Sequence, residues 1–134
     1  EGVQKSGRLF AFDLSFTRGE VMAFRERIVA ECTSRHPEVR LCDFGHVGDG
    51  GIHLNLVVPR DHPVLDDPGY EAALRNWIVD VAVTGHGGSF SAEHGIGRTN
   101  QRFYDAYTPE AVKRLARSLY GATSPQRLGA VRLD

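Results

Sequence analysis

The stretch Val39-Arg40-Leu41-Cys42-Asp43-Phe44-Gly45-His46-Val47-Gly48-Asp49-Gly50-Gly51-Ile52-His53-Leu54-Asn55-Leu56-Val57-Val58-Pro59 decides the fold. Ile52, Leu54, Leu56 and Val58 alternate strictly with polar or small neighbours, which predicts a strand with one buried face. Val39, Leu41, Cys42 and Phe44 lead into the glycine cluster from the other side. Asp-Gly between two apolar runs predicts a hairpin, because a type I′ turn needs positive φ at both central residues. With Asp49-Gly50 as the turn, Gly48 pairs with Gly51, Val47 with Ile52 and His46 with His53. Opposed residues hold their Cβ atoms about 4.5–5.5 Å apart on one face. Phe44, His46, His53 and Asn55 then share one face, and Val47, Ile52, Leu54, Leu56 and Val58 share the other. A one-residue slip would separate the two histidines.

Working outward, Leu9, Phe10, Phe12, Leu14 and Phe16 predict a first strand. Thr17 and Glu20 have capping-box spacing, so a helix is expected to start there, carry Val21, Phe24, Ile28 and Cys32 inward, and end before Pro37. A second helix is expected from Asp67-Pro68 to about Gly85, with Tyr70, Ala73, Leu74, Trp77, Ile78 and Val81 as its apolar stripe. Gly88 to Glu93 reads as a short strand, and Thr108-Pro109-Glu110 starts a last helix with Val112, Leu115, Ala116 and Leu119 on one face. The order β-α-β-β-α-β plus a C-terminal helix predicts an α+β, ferredoxin-like fold: an antiparallel sheet with helices on one face.

A chain of 134 residues suits one domain. Its net charge of −1 leaves no basic footprint for nucleic acid or an anionic membrane. No apolar run approaches the roughly 20 residues of a membrane span. Cys32 and Cys42 lack C-x-x-C spacing and read as reduced, which predicts a cytoplasmic setting.

Two segments carry chemistry. His46 and His53, opposed across the hairpin, can share a small cation, although on spacing alone two such histidines are more often surface or hydrogen-bonded residues than ligands. In Ser91-Ala92-Glu93-His94-Gly95-Ile96-Gly97, Glu93 offers a hard oxygen ligand and His94 a base near neutral pH. Neighbours on a regular strand point oppositely, but the glycines permit a bend that aims both into one cavity. His36, His62 and His86 are expected at loops or helix ends with surface roles. Asp49 is read as a turn former.

Together the segments Gly45–Asn55 and Gly88–Gly97 resemble the carboxy-terminal domain of FAD-linked oxidases of the vanillyl-alcohol-oxidase type, in particular the group of D-lactate dehydrogenase, the glycolate oxidase flavin subunit and D-2-hydroxyglutarate dehydrogenase. The resemblance implies that the whole chain, 1–134, is a substrate (cap) domain lying over FAD that is bound mainly by an N-terminal domain absent from this chain. It also implies a divalent metal, usually zinc, on the positions of His46, His53 and Glu93. Asn55 and His94 would bind a 2-hydroxyacid substrate, with His94 as the catalytic base. Departures from the family pattern are Gly51, where Asn is usual, Asn100, where Lys is common, and Arg127-Leu128-Gly129-Ala130 in place of a terminal Asn-Pro-Gly-Lys. On this reading the chain alone neither turns over substrate nor binds FAD tightly, and its uncovered histidine face drives homodimer or crystal contacts. Competing expectations are a non-catalytic metal or small-ligand binding module and a metal-dependent hydrolase.

Overall fold

A computed structural model of the chain describes residues 7–46, 48–124 and 131–133. Two units divide it, Glu1–Glu93 and His94–Asp134. The first contains β1 (Arg8–Ser15), α1 (Glu20–Arg35), β2 (Arg40–Phe44), β3 (Gly51–Val58), a 3-10 turn at Pro63–Asp66 and α2 (Tyr70–Asp80), which widens into a π turn over Val81–Gly85. The second contains α3 (Gln101–Tyr107) and α4 (Glu110–Thr123).

The sheet runs β1-β3-β2, antiparallel at both junctions, so the most regularly alternating strand is hydrogen-bonded on both sides. Alternation sends Phe10, Phe12 and Leu14 of β1 and Ile52, Leu54, Leu56 and Val58 of β3 to one face. There they meet Val21, Phe24, Ile28 and Cys32 of α1 and Tyr70, Leu74, Ile78 and Val81 of α2. Phe16 stacks on Phe24 with ring centres 4.6 Å apart. Removing a fully buried ring such as Phe24 costs about 3–5 kcal/mol. Burial in this core also pushes the Cys32 thiol up to about 11, which leaves it a packing residue and not a nucleophile.

The α+β class and the placement of α1, α2 and α4 agree with the sequence. Four details differ. The expected strand over Gly88 to Glu93 shortens to a single bridge between Ser89 and Ser15, on the edge of β1 away from β3. Among the described residues the sheet therefore has three strands, with the bridge marking the place of a fourth. The hairpin loop is longer than a two-residue turn. Phe44, not His46, pairs with His53, and Gly45 to Gly50 form the loop. The placement expected for Val47 lies outside the described residues. The capping box does not form: the N-cap is Gly19 with no side-chain bond, and the Thr17 backbone carbonyl closes the preceding turn by accepting from the Glu20 amide at 2.9 Å. The Glu20 carboxylate instead meets His86 Nδ1 at 3.0 Å. Lastly, α3 has no counterpart in the sequence reading.

The long loop has a tertiary cause. The carbonyl of Gly50 accepts a hydrogen bond from the Phe16 amide at 2.9 Å, extending the β1–β3 contact by one step. Gly50 sits at φ 91°, and a Cβ there would lie 2.0 Å from the Phe16 carbonyl oxygen. The segment Gly48-Asp49-Gly50-Gly51 offers several sites for positive φ; docking on β1 selects Gly50. Asp49 is a turn former as expected, its Oδ1 accepting from the Gly51 amide at 3.0 Å. Gly50→Ala should lower stability by about 1–3 kcal/mol in urea unfolding; a change under about 0.5 kcal/mol would contradict the docking.

A second tie joins α2 to the start of β2. The Tyr70 hydroxyl donates to Glu38 Oε1 at 2.7 Å, and His36 Nδ1 lies 3.2 Å from the same oxygen. Burial pushes the Glu38 carboxyl up, but the bonds from Tyr70, the backbone and His36 together outweigh it and hold it below the usual carboxylate range. Folded Glu38 thus binds its proton less readily than unfolded Glu38. Its contribution is complete above the unfolded pKa of about 4.3 and fades as pH falls through the folded value. Tyr70→Phe is expected to cost about 1.5–3 kcal/mol at pH 7 and clearly less in strong acid. Equal losses at both pH values, by chemical denaturation, would refute the ionic character of this bond.

Candidate functional site

The face of the sheet opposite the core carries the candidate site. Register places Asp13 of β1 directly across from His53 of β3, with Phe44 of β2 on the other side of His53. His53 Nδ1 lies 3.5 Å from Asp13 Oδ1, and its Nε2 lies 2.9 Å from Glu93 Oε1. The Phe44 ring centre stands 5.0 Å from the imidazole. Asp13 and His53 are largely buried, at 10% and 17% side-chain exposure, while Glu93 is exposed.

Glu93 reaches His53 because its segment is pinned near the end of β1. The Gly88 amide donates to the Ala82 carbonyl at 2.9 Å, which ties the chain leaving α2 back onto its own last turn. Ser89 then exchanges backbone hydrogen bonds with Ser15, at 2.7 and 3.4 Å. Ser89 Oγ donates to the Ser91 carbonyl at 2.7 Å and shapes the turn that follows. Gly88 packs flat against Phe16; a Cβ at this position would come within 2.4 Å of the ring.

His46 sits in the exposed hairpin loop, where its carbonyl accepts from the amides of Asp49 and Gly51 at 2.9 and 3.3 Å. Its ring centre lies 6.4 Å from that of His53, nearly perpendicular to it. The two imidazoles are therefore neighbours, though not through the direct strand pairing that the sequence suggested. Asn55 lies on the same face one pair further along, between Ala11 and Cys42, with 9% of its surface exposed. His94 is exposed in a turn at the start of the second unit, and Gly95 and Gly97 beyond it take positive φ of 69° and 54°, the bend the sequence allowed for.

A cleft of about 320 Å³ opens here, with Asp13, Asp49 and Glu93 supplying carboxylates to its wall and His46 and His53 supplying imidazoles. Asp13 escaped the sequence reading. An acid at an outward position of an alternating strand normally faces solvent, and only the β1–β3 register reveals that it faces a histidine. His86 and His36 also differ from expectation. Both are structural: His86 packs edge-on against Phe24 beside Glu20, and His36 leans on Trp77.

The arrangement poses a proton-counting problem. A neutral imidazole has one N–H and one lone pair, and an ionised carboxylate only accepts. His53 faces a carboxylate at each nitrogen. A single ring proton serves only one of the two contacts at a time.

Comparison with known proteins assigns the domain to a class. Residues 2–128 match the family described as FAD linked oxidases, C-terminal domain, and the chain belongs to it. It is 36% identical over 93 residues to a D-2-hydroxyglutarate dehydrogenase of Stutzerimonas stutzeri, an overlap of 69% of this chain and 20% of that protein. It is 33% identical over 93 residues to a putative mitochondrial D-lactate dehydrogenase of Schizosaccharomyces pombe, covering 69% of this chain and 16% of that one. With the mitochondrial D-2-hydroxyglutarate dehydrogenase of Arabidopsis thaliana it shares 32% identity over 119 residues, 87% of this chain and 19% of that one. The chain thus spans about a fifth or less of the length of these relatives. Among the described residues no helix is long and apolar enough to cross a membrane.

Because Gly88 and Phe16 fit without a side chain between them, Gly88→Val should push the segment outward and part Glu93 from His53. The expected readout is a changed His53 ring resonance in NMR with the β1–β3 amide contacts retained. An unchanged His53 resonance would mean that Glu93 is held by something other than this packing.

Proposed function

We propose that this chain is the substrate-side part of an FAD-dependent dehydrogenase that oxidises a 2-hydroxyacid to a 2-oxoacid, and that His46, His53 and Glu93 hold a divalent cation, zinc by preference. The observation that carries the reading is the 2.9 Å approach of Glu93 Oε1 to His53 Nε2, with the His46 ring centre 6.4 Å from that of His53. Neighbouring ligand atoms around a tetrahedral zinc lie about 3.3 Å apart, given bonds of about 2.0–2.1 Å. The donor set, two imidazoles and a carboxylate, is the one zinc and similar ions favour in sites that keep positions open for substrate. A cation on the Nε2 side also resolves the proton count at His53. Electrostatics points the same way, since an anionic hydroxyacid would be repelled by three wall carboxylates without a compensating charge.

When bound, the ion would supply Lewis-acid polarisation of the substrate hydroxyl, and FAD the two-electron acceptor for the hydride on the same carbon. The chain's own residues do the rest. One nitrogen of His94 takes the hydroxyl proton, a role worth about 10²–10⁴-fold in rate. The Asn55 amide orients the substrate from the floor of the same face. We place FAD binding chiefly in sequence outside this chain, and propose that the flavin-binding part covers the face on which Phe44 is 64% exposed; a homodimer through that face is the competing arrangement. The free thiols of Cys32 and Cys42 suit a reducing compartment, such as the cytoplasm that the sequence suggested; two of the relatives are named as mitochondrial.

Calorimetric titration of the 134-residue chain with zinc should give one site, weakened at least about 100-fold by His53→Ala and by Glu93→Gln. Equal affinity in all three proteins would remove the ligand set. With added FAD and a dye acceptor, the chain alone should turn over neither D-2-hydroxyglutarate nor D-lactate. Measurable turnover would show that the flavin site lies within these residues.

A further inference from the structure

Helix α4 is amphipathic in sequence, yet none of its residues is buried. Val112, Leu115, Ala116 and Leu119 recur at helical spacing on one side. Val112, Leu115 and Leu119 are 50%, 60% and 57% exposed, and they are half of the large exposed hydrophobic side chains among the described residues. The polar side is the one tied down. Lys113 Nζ donates to the Asp105 carbonyl at 2.6 Å and stands over the Tyr104 ring, and Arg117 pairs with Glu110. We infer that the apolar stripe of α4 is a docking surface for another part of a longer polypeptide to which these 134 residues belong. The occupant is an apolar groove about one helix wide. The inference goes beyond the dehydrogenase reading and does not rest on it.

Physical chemistry requires that something cover the stripe. A helix of 14 residues is marginal in water when it buries no face. The unit that holds it, His94–Asp134, buries only Phe103 and Tyr104 among its described residues. A unit of about 40 residues with so small a core usually needs a further surface to be stable. The relatives have polypeptide to supply one, since this chain covers only 20%, 16% and 19% of their lengths. The stripe is also too small to hold separate molecules together. A specific interface between proteins buries about 800 Å² on each partner, far more than three aliphatic side chains present. A partner in the same polypeptide is held at high effective concentration, so a small patch suffices. A lipid surface fits less well. Two of the three cations of α4, Lys113 and Arg117, are already engaged, and the stripe carries no Trp or Phe.

The test follows hydrogen exchange of the α4 amides by mass spectrometry, in the 134-residue chain and in the full-length polypeptide. Exchange over Glu110–Thr123 should be at least about 10-fold slower in the full-length protein, because docking must open before the helix does. The double substitution Leu115→Glu and Leu119→Glu should remove that protection, while Arg114→Ala, on the polar side, should leave it intact. Should the double variant fail to fold, Leu115→Ala in the full-length protein is expected to speed α4 exchange at least about 10-fold. Equal exchange in the two wild-type proteins would overturn the inference. So would protection of the short chain that rises with its concentration, beside a dimer in sedimentation, since the occupant would then be a second copy. Protection gained only with vesicles of phosphatidylserine and phosphatidylcholine would overturn it in favour of a membrane surface. Protection in a full-length protein that oxidises no hydroxyacid would uphold the docking and sink the dehydrogenase reading instead.

Discussion

The pairing of β1 with β3 is the constraint on which the rest depends. One register performs two tasks. It interleaves Phe10, Phe12 and Leu14 with Ile52, Leu54, Leu56 and Val58 on the face covered by α1 and α2. On the opposite face the same ladder sets Asp13 against His53. Because side chains alternate along a strand, the two faces cannot be adjusted separately. The apolar face supplies the large burial energy, of the order of 2–3 kcal/mol for each big side chain, and so determines where the polar face puts its carboxylate and imidazole. The core thereby sets the geometry of the candidate site.

The loops add what the strands cannot. Glu93 arrives from a segment anchored by the Gly88–Ala82 hydrogen bond and the Ser89–Ser15 bridge, and His46 from the hairpin loop whose far end is docked through Gly50 on Phe16. Both anchors converge on the end of β1, near Ser15 and Phe16. On the proposed reading, His53 on the central strand would be the prepositioned ligand, and Glu93 and His46 on the flanking loops would complete the set. The acids gathered there make a cleft that attracts cations.

Much of this was legible in the sequence. Strict alternation identified the core face of β3 and the outward placement of Phe44, His53 and Asn55. Helical spacing identified α1, α2 and α4. What escaped depends on contacts between segments distant in sequence. The hairpin was read as tight because Asp-Gly is a strong local signal, but the hydrogen bond from the Phe16 amide to Gly50 selects a longer loop, which shifts the partner of His53 from His46 to Phe44. The shift is by two residues, so the face assignment survived while the pair did not. Thr17 and Glu20 have capping-box spacing, yet Glu20 is drawn to His86, sixty-six positions away. Asp13 could not be singled out because its significance appears only once the strand register is known. The segment around Arg127-Leu128-Gly129-Ala130 lies outside the described residues.

Zinc K-edge X-ray absorption on the chain loaded with one equivalent of zinc tests the central claim most directly, since it reads the ligand shell itself. The account predicts imidazole scattering from two histidines at about 2.0–2.1 Å together with a carboxylate oxygen in the first shell, and the loss of one imidazole in His53→Ala. A shell of oxygen alone, or a spectrum indifferent to His53, would contradict it.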